Sequence, residues 1–90
     1  MIESTIVQHY LIVYDRKACR LISMRVFPDD QRRLAGEERL KLELEHRLNP
    51  DMEIIVVSST SREVLEVTHS RYFKTVGELL RDGEKLTYKR

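Results

Sequence analysis

Two runs, QHYLIVYD and RLISMRVF, open the patterned part of the chain, with RKAC between them. Both are rich in β-branched and aromatic residues, which predicts a β-hairpin. Pairing symmetrically about Lys17 sets Tyr14 opposite Arg20, Ile12 opposite Ile22 and Tyr10 opposite Met24, with Cys19 opposite Asp15. Side chains alternate along a strand. One face then carries Tyr10, Ile12, Tyr14, Ile22, Met24 and Val26, and is expected to be the core face. The other carries Leu11, Val13, Leu21 and Phe27 among His9, Ser23 and Arg25. YLIVY is apolar on both sides and reads as a central strand, whereas RLISMRVF reads as an edge.

Pro28 ends the second strand, and Asp29 or Asp30 can cap the first helix. From Gln31 to Leu48 the chain is rich in good helix formers, with Leu40, Leu44 and Leu48 at i, i+4, i+8 and Leu34 near the same stripe. That stripe is the expected buried face. Gly36 weakens the first half, and Asn49-Pro50 stops the helix. MEIIVVSS, apolar on both sides, predicts a third, central strand. Thr60-Ser61-Arg62-Glu63 reads as a capping box opening a helix to about Arg71. A second box, Thr75 to Glu78, opens a short helix that Gly83 can end, and residues 84–90 form a last strand or a frayed tail.

The order is β-β-α-β-α with a short C-terminal helix and a fourth strand as an option, an α/β (α+β) chain. The first helix returns the chain, so strand three runs parallel to strand two. The expectation is a split β-α-β sheet in strand order 2-1-3, with both helices on one face in two layers.

Ninety residues make a single domain, residues 1–90, with one modest core. Sixteen basic residues against fifteen acidic give a formal charge of +1, without the excess usual for a duplex binder. One cysteine, Cys19, cannot form an internal disulfide or a thiolate zinc site. No run approaches ~18 apolar residues, and Glu3 and Gln8 stand where a signal peptide needs a basic start. The expected location is the cytoplasm, away from membranes.

Each chemical motif has a plainer alternative. Glu43-x-x-His46 and Glu66-x-x-His69 have the spacing of paired metal ligands. With the leucine stripe turned inward, all four side chains face away from the core, so no metal and no cofactor is expected. Cys19 lies six residues along the hairpin from His9 and cannot pair with it. VVSSTSRE offers amides at a helix start but lacks phosphate-loop glycines. Arg16, Lys17, Arg20, Arg32, Arg33, Arg39 and Lys41 could form a nucleic-acid stripe, but glutamates interrupt it. In THSRYF, Tyr72 faces the core while His69 and Arg71 suit the carbonyl end of a helix. His69, Arg71 and Tyr72 also form a candidate ligand patch.

HYLIVYDRKACRLISMRVF, the charged leucine helix and PDMEIIVVSSTSREVLEVTHSRYF, in that order, resemble a family of small uncharacterised actinobacterial proteins over about residues 8–73. The resemblance implies a fold unit and no activity, and it implies a glycine where this chain has Cys19. The functional expectation is therefore a small interaction module, a homodimer or the partner of another protein, acting through an open sheet face of Leu11, Val13, Leu21 and Phe27.

Overall fold

The computed structural model describes residues 6–74. The second capping box, the helix it opens and the tail at 84–90 lie outside the described residues. Three strands, β1 (Gln8–Asp15), β2 (Arg20–Phe27) and β3 (Met52–Ser59), form an antiparallel sheet in the order β2-β1-β3. This is the expected strand order, with the second and third strands parallel to each other across a central first strand. Helix α1 (Arg32–Glu45) links β2 to β3, and α2 (Arg62–Thr68) follows β3. Short 3-10 turns span Asp29–Gln31 and Ser70–Phe73.

The hairpin departs from the symmetrical register. Tyr10 pairs with Val26 and Ile12 with Met24, while Tyr14 pairs with Leu21 and Asp15 with Arg20. The slip between Val13 and Tyr14 leaves Ile22 as an extra residue in β2, a β-bulge. Asp15 Oδ1 accepts the Ala18 amide at 3.0 Å and tightens a four-residue turn, so Cys19 lies in the turn rather than opposite Asp15. Its φ of 54° is left-handed, a conformation that costs an L-residue about 1 kcal/mol and a glycine almost nothing.

The bulge reverses the alternation at its far side. Leu21 therefore packs with Tyr10, Ile12 and Tyr14, against Leu65 and Tyr72 from the α2 side. Leu11, Val13 and Phe27 pack instead with Ala35 of α1 and Ile54, and Leu42 lies against that cluster. The helices thus cover opposite faces of the sheet, and the arrangement is three layers rather than two. The proposed contact surface is corrected accordingly: Leu11, Val13 and Phe27 are buried beneath α1, and Leu21 belongs to the other face.

Helix α1 turns an unexpected side to the sheet. Ala35 is fully buried and Leu42 half-buried, whereas Leu34, Leu40, Leu44 and Leu48 are exposed. A small residue at the contact lets the helix approach a surface already filled by Leu11, Val13 and Phe27. Arg25 of β2 fixes the pose by donating to Glu38 at 3.1 Å, and Lys41 bonds the second oxygen of that carboxylate at 3.4 Å. The Arg25 hydrogen bond holds the Glu38 carboxyl below its ordinary pKa. Helix α2 is shorter than expected. Ser61, not Thr60, is its N-cap, accepting the Val64 amide at 3.1 Å, and Leu65 is its fully buried anchor.

Chemical denaturation checks this arrangement. Leu65→Ala should lose about 2–5 kcal/mol by leaving a cavity, while Leu44→Ala on the outer stripe should stay within about 0.5 kcal/mol. Gly36→Ala should gain about 0.5–1 kcal/mol, because an added Cβ meets nothing within 4 Å and helical alanine is favoured.

Candidate functional site

The expected patch of His69, Arg71 and Tyr72 is brought together where the chain leaves α2, and β3 adds an acid. Tyr72 donates its hydroxyl to Glu53 Oε2 at 2.6 Å, and Arg71 Nη2 donates to Glu53 Oε1. Arg71 Nη2 also approaches the Tyr72 hydroxyl at 3.3 Å. The Arg71 guanidinium lies over the rings of Tyr14 and Tyr72, at 5.3 and 4.7 Å from their centroids. Tyr14 and Tyr72 meet edge to face at 5.0 Å, and His69 stacks on Tyr72 at 6.5 Å. Thr68 Oγ1 lies 3.2 Å from the Val64 carbonyl and 2.8 Å from His69 Nδ1. The hydroxyl has one proton to give; when the carbonyl takes it, His69 donates from Nδ1.

Electrostatics fix the charge states in this cluster. Burial pushes the Glu53 carboxyl up, but hydrogen bonds from Tyr72 and Arg71 and the charges of Arg71 and Arg16 outweigh it, so its pKa is lowered. Burial, then donation to Glu53, raises the Tyr72 phenol. Burial and the neighbouring Cys19 raise Tyr14. A carboxylate locked by an arginine and a phenol is a poor proton shuttle. The cluster is a clamp joining β3 to the end of α2, and it holds the Tyr72 ring in place.

A second cluster was not foreseen. His9 is 2% exposed; its Nε2 lies 2.8 Å from Asp29 Oδ1 and its Nδ1 lies 2.7 Å from Ser58 Oγ. A carboxylate only accepts, so Nε2 donates to Asp29, and Nδ1 shares a hydrogen bond with the Ser58 hydroxyl. The order carboxylate, imidazole, hydroxyl is that of a hydrolase triad with the ring reversed. Its three members come from β1, β3 and the turn before α1, and the bonds tie these elements at one end of the sheet. The described cavities open elsewhere. Cross-strand pairing of His9 with Ser58 follows from the register of β1 on β3, and that register was the missing signal.

The remaining candidates separate. Half-buried His46 lies on the sheet side of α1, because the leucine stripe faces out, and lines a cavity of about 260 Å³ with Glu43. Glu66 holds Arg62 at 2.8 Å on the surface of α2. Among the described residues no group of three or more His, Cys, Asp or Glu is disposed to hold a metal ion. No helix among them is long and apolar enough to cross a membrane. Half-buried Cys19 and exposed Arg20 line a cleft of about 440 Å³ beside Tyr72 and Phe73.

The site defines an α+β domain held together by polar clamps. Comparisons with protein-family models, curated proteins and solved structures find no match.

The Glu53 clamp sets a pH dependence. A carboxyl with a lowered folded pKa contributes stability that is complete above its unfolded value, near 4.5, and is lost as pH falls through the lower folded value. Unfolding midpoints of the wild type should fall across that acidic range. Glu53→Gln should be less stable at neutral pH and lose less on acidification.

Proposed function

We propose that the protein is a small interaction module that pairs with a second copy of itself through the outer face of α1. The observation that carries this reading is the direction of the α1 leucines. Leu34, Leu40 and Leu44 lie on one stripe of α1 at 40%, 54% and 63% exposure, and Leu48, in the turn just beyond the helix, is 88% exposed. A helix normally turns such a stripe inward, and a partner is the usual means of drying one that faces water. The sheet face formed by Leu11, Val13 and Phe27 is closed by α1, so the reading rests on the helix.

Size and charge both bear on the occupant. The stripe offers on the order of a few hundred Å² per copy, less than the ~800 Å² per partner of a standard interface, which suits a weak, reversible pair. Charges beside the stripe are self-complementary. Laid antiparallel about a two-fold axis near Arg39, α1 sets Leu34 against Leu44 of the second copy and Glu37 against its Lys41. Arg33 meets Glu45 in the same register. Three of the seven basic residues a nucleic acid would use share their charge with glutamates of the same helix. Arg33 holds Glu37 at 3.4 Å, Arg39 holds Glu43 at 3.8 Å and Lys41 holds Glu38 at 3.4 Å.

Sedimentation equilibrium at ~10–100 µM tests the proposal, a range chosen for a weak pair. The average mass should rise above 10.7 kDa with concentration. Leu40→Lys with Leu44→Lys should give a chain that keeps its circular dichroism and sediments as a monomer. A wild-type chain that stays at the monomer mass throughout would overturn the reading.

A further inference from the structure

The cleft beside the hairpin turn has a composition that the clamp and the leucine stripe do not explain. Its volume of about 440 Å³ falls within the ~300–1,000 Å³ usual for small-molecule sites. Three cationic residues from separate elements line it: Arg20 at the start of β2, Arg62 at the start of α2, and Lys74 after the final 3-10 turn. Among the described residues no carboxylate lines it, in a chain where acids and bases are almost equal in number. Tyr72, Phe73 and Leu21 supply its apolar part.

The walls are built in advance of any ligand. Tyr72 is held by its hydroxyl on Glu53 and by the edge of Tyr14, so its ring position is set. The Arg62 guanidinium stands over the Phe73 ring at 5.6 Å, and its Nε donates to Glu66 at 2.8 Å. That bond uses one of five N–H donors and leaves the four on the terminal nitrogens. Arg20 makes no ion pair among the described residues. Asp15, its partner across the strands, directs its carboxylate to the Ala18 amide.

From this geometry we propose that the cleft binds a small organic anion with a flat apolar body, the class of aromatic carboxylates and sulfonates. The rings and Leu21 take the body, and Arg20 and Arg62 take the charge. A neutral molecule of the same shape would lose the charge-assisted hydrogen bonds, which are about twice as strong as neutral ones. An inorganic anion would lose the apolar contact.

Cys19 lies in the same lining and serves as a reporter. The experiment follows alkylation of the full-length chain by iodoacetamide, a neutral reagent, with 1-naphthoate, 1-naphthamide or inorganic phosphate as the probe. Naphthoate should slow alkylation saturably by about threefold or more, while naphthamide and phosphate do much less, because only naphthoate has both the ring and the charge. Arg20→Gln, an exposed position at the strand end, should raise the half-protecting naphthoate concentration about tenfold, and Arg47→Gln, outside the cleft lining, should leave it unchanged. The Leu40→Lys, Leu44→Lys chain should be protected like the wild type, so loss of self-association is read separately. Equal protection by naphthoate and naphthamide, no protection by either, or no effect of Arg20→Gln would overturn the proposal.

Discussion

The structure depends on one constraint: the central strand must be dry on both of its faces. His9 through Tyr14 are buried without a break, large side chains pointing alternately to either flank. A single helical layer can cover one flank only. The chain therefore places α1 against Leu11 and Val13, and α2 with the 3-10 turn after it against Tyr10, Ile12 and Tyr14. Two thin clusters replace one thick core, one on each face of the sheet. Polar bonds join the elements around these clusters. Arg25 with Glu38 fixes α1, and Glu53 with Arg71 and Tyr72 fixes the segment beyond α2. The His9 chain closes the remaining end.

The strand order and the elements of the described residues were legible because long apolar runs, Pro28 and Asn49-Pro50 leave few alternatives. The helix placement was not, although the sequence held the clue. YLIVY and EIIVV are apolar on both sides, which already calls for two covers. The misleading signal was the leucine stripe of α1, where regular spacing suggests an inward face. Steric fit selected Ala35 and Leu42 for the sheet instead, and spacing alone carries no information on which of two apolar arcs fits the opposing surface. The bulge at Ile22 was equally hidden, since strict alternation describes both registers until one residue is skipped.

For the candidate sites, neighbours in sequence were found and distant partners were missed. Arg71 and Tyr72 stand side by side in the chain, but Glu53, which sets their roles, is eighteen and nineteen positions away. His9 meets Ser58 across forty-nine positions, through a strand pairing that periodicity cannot align. The cleft combines a hairpin turn, a helix start and a 3-10 turn, each bland by itself. Its cations are therefore inconspicuous as sequence and become a set only when the fold collects them.

The bulge at Ile22 has a consequence for the open margin of the sheet. β2 stands at one margin of the sheet, and a straight margin is a template onto which another strand can dock. The extra residue breaks the hydrogen-bond rhythm midway and coils the strand away from flatness. Side-by-side growth into ribbons is thereby discouraged along β2, the margin that carries the extra residue.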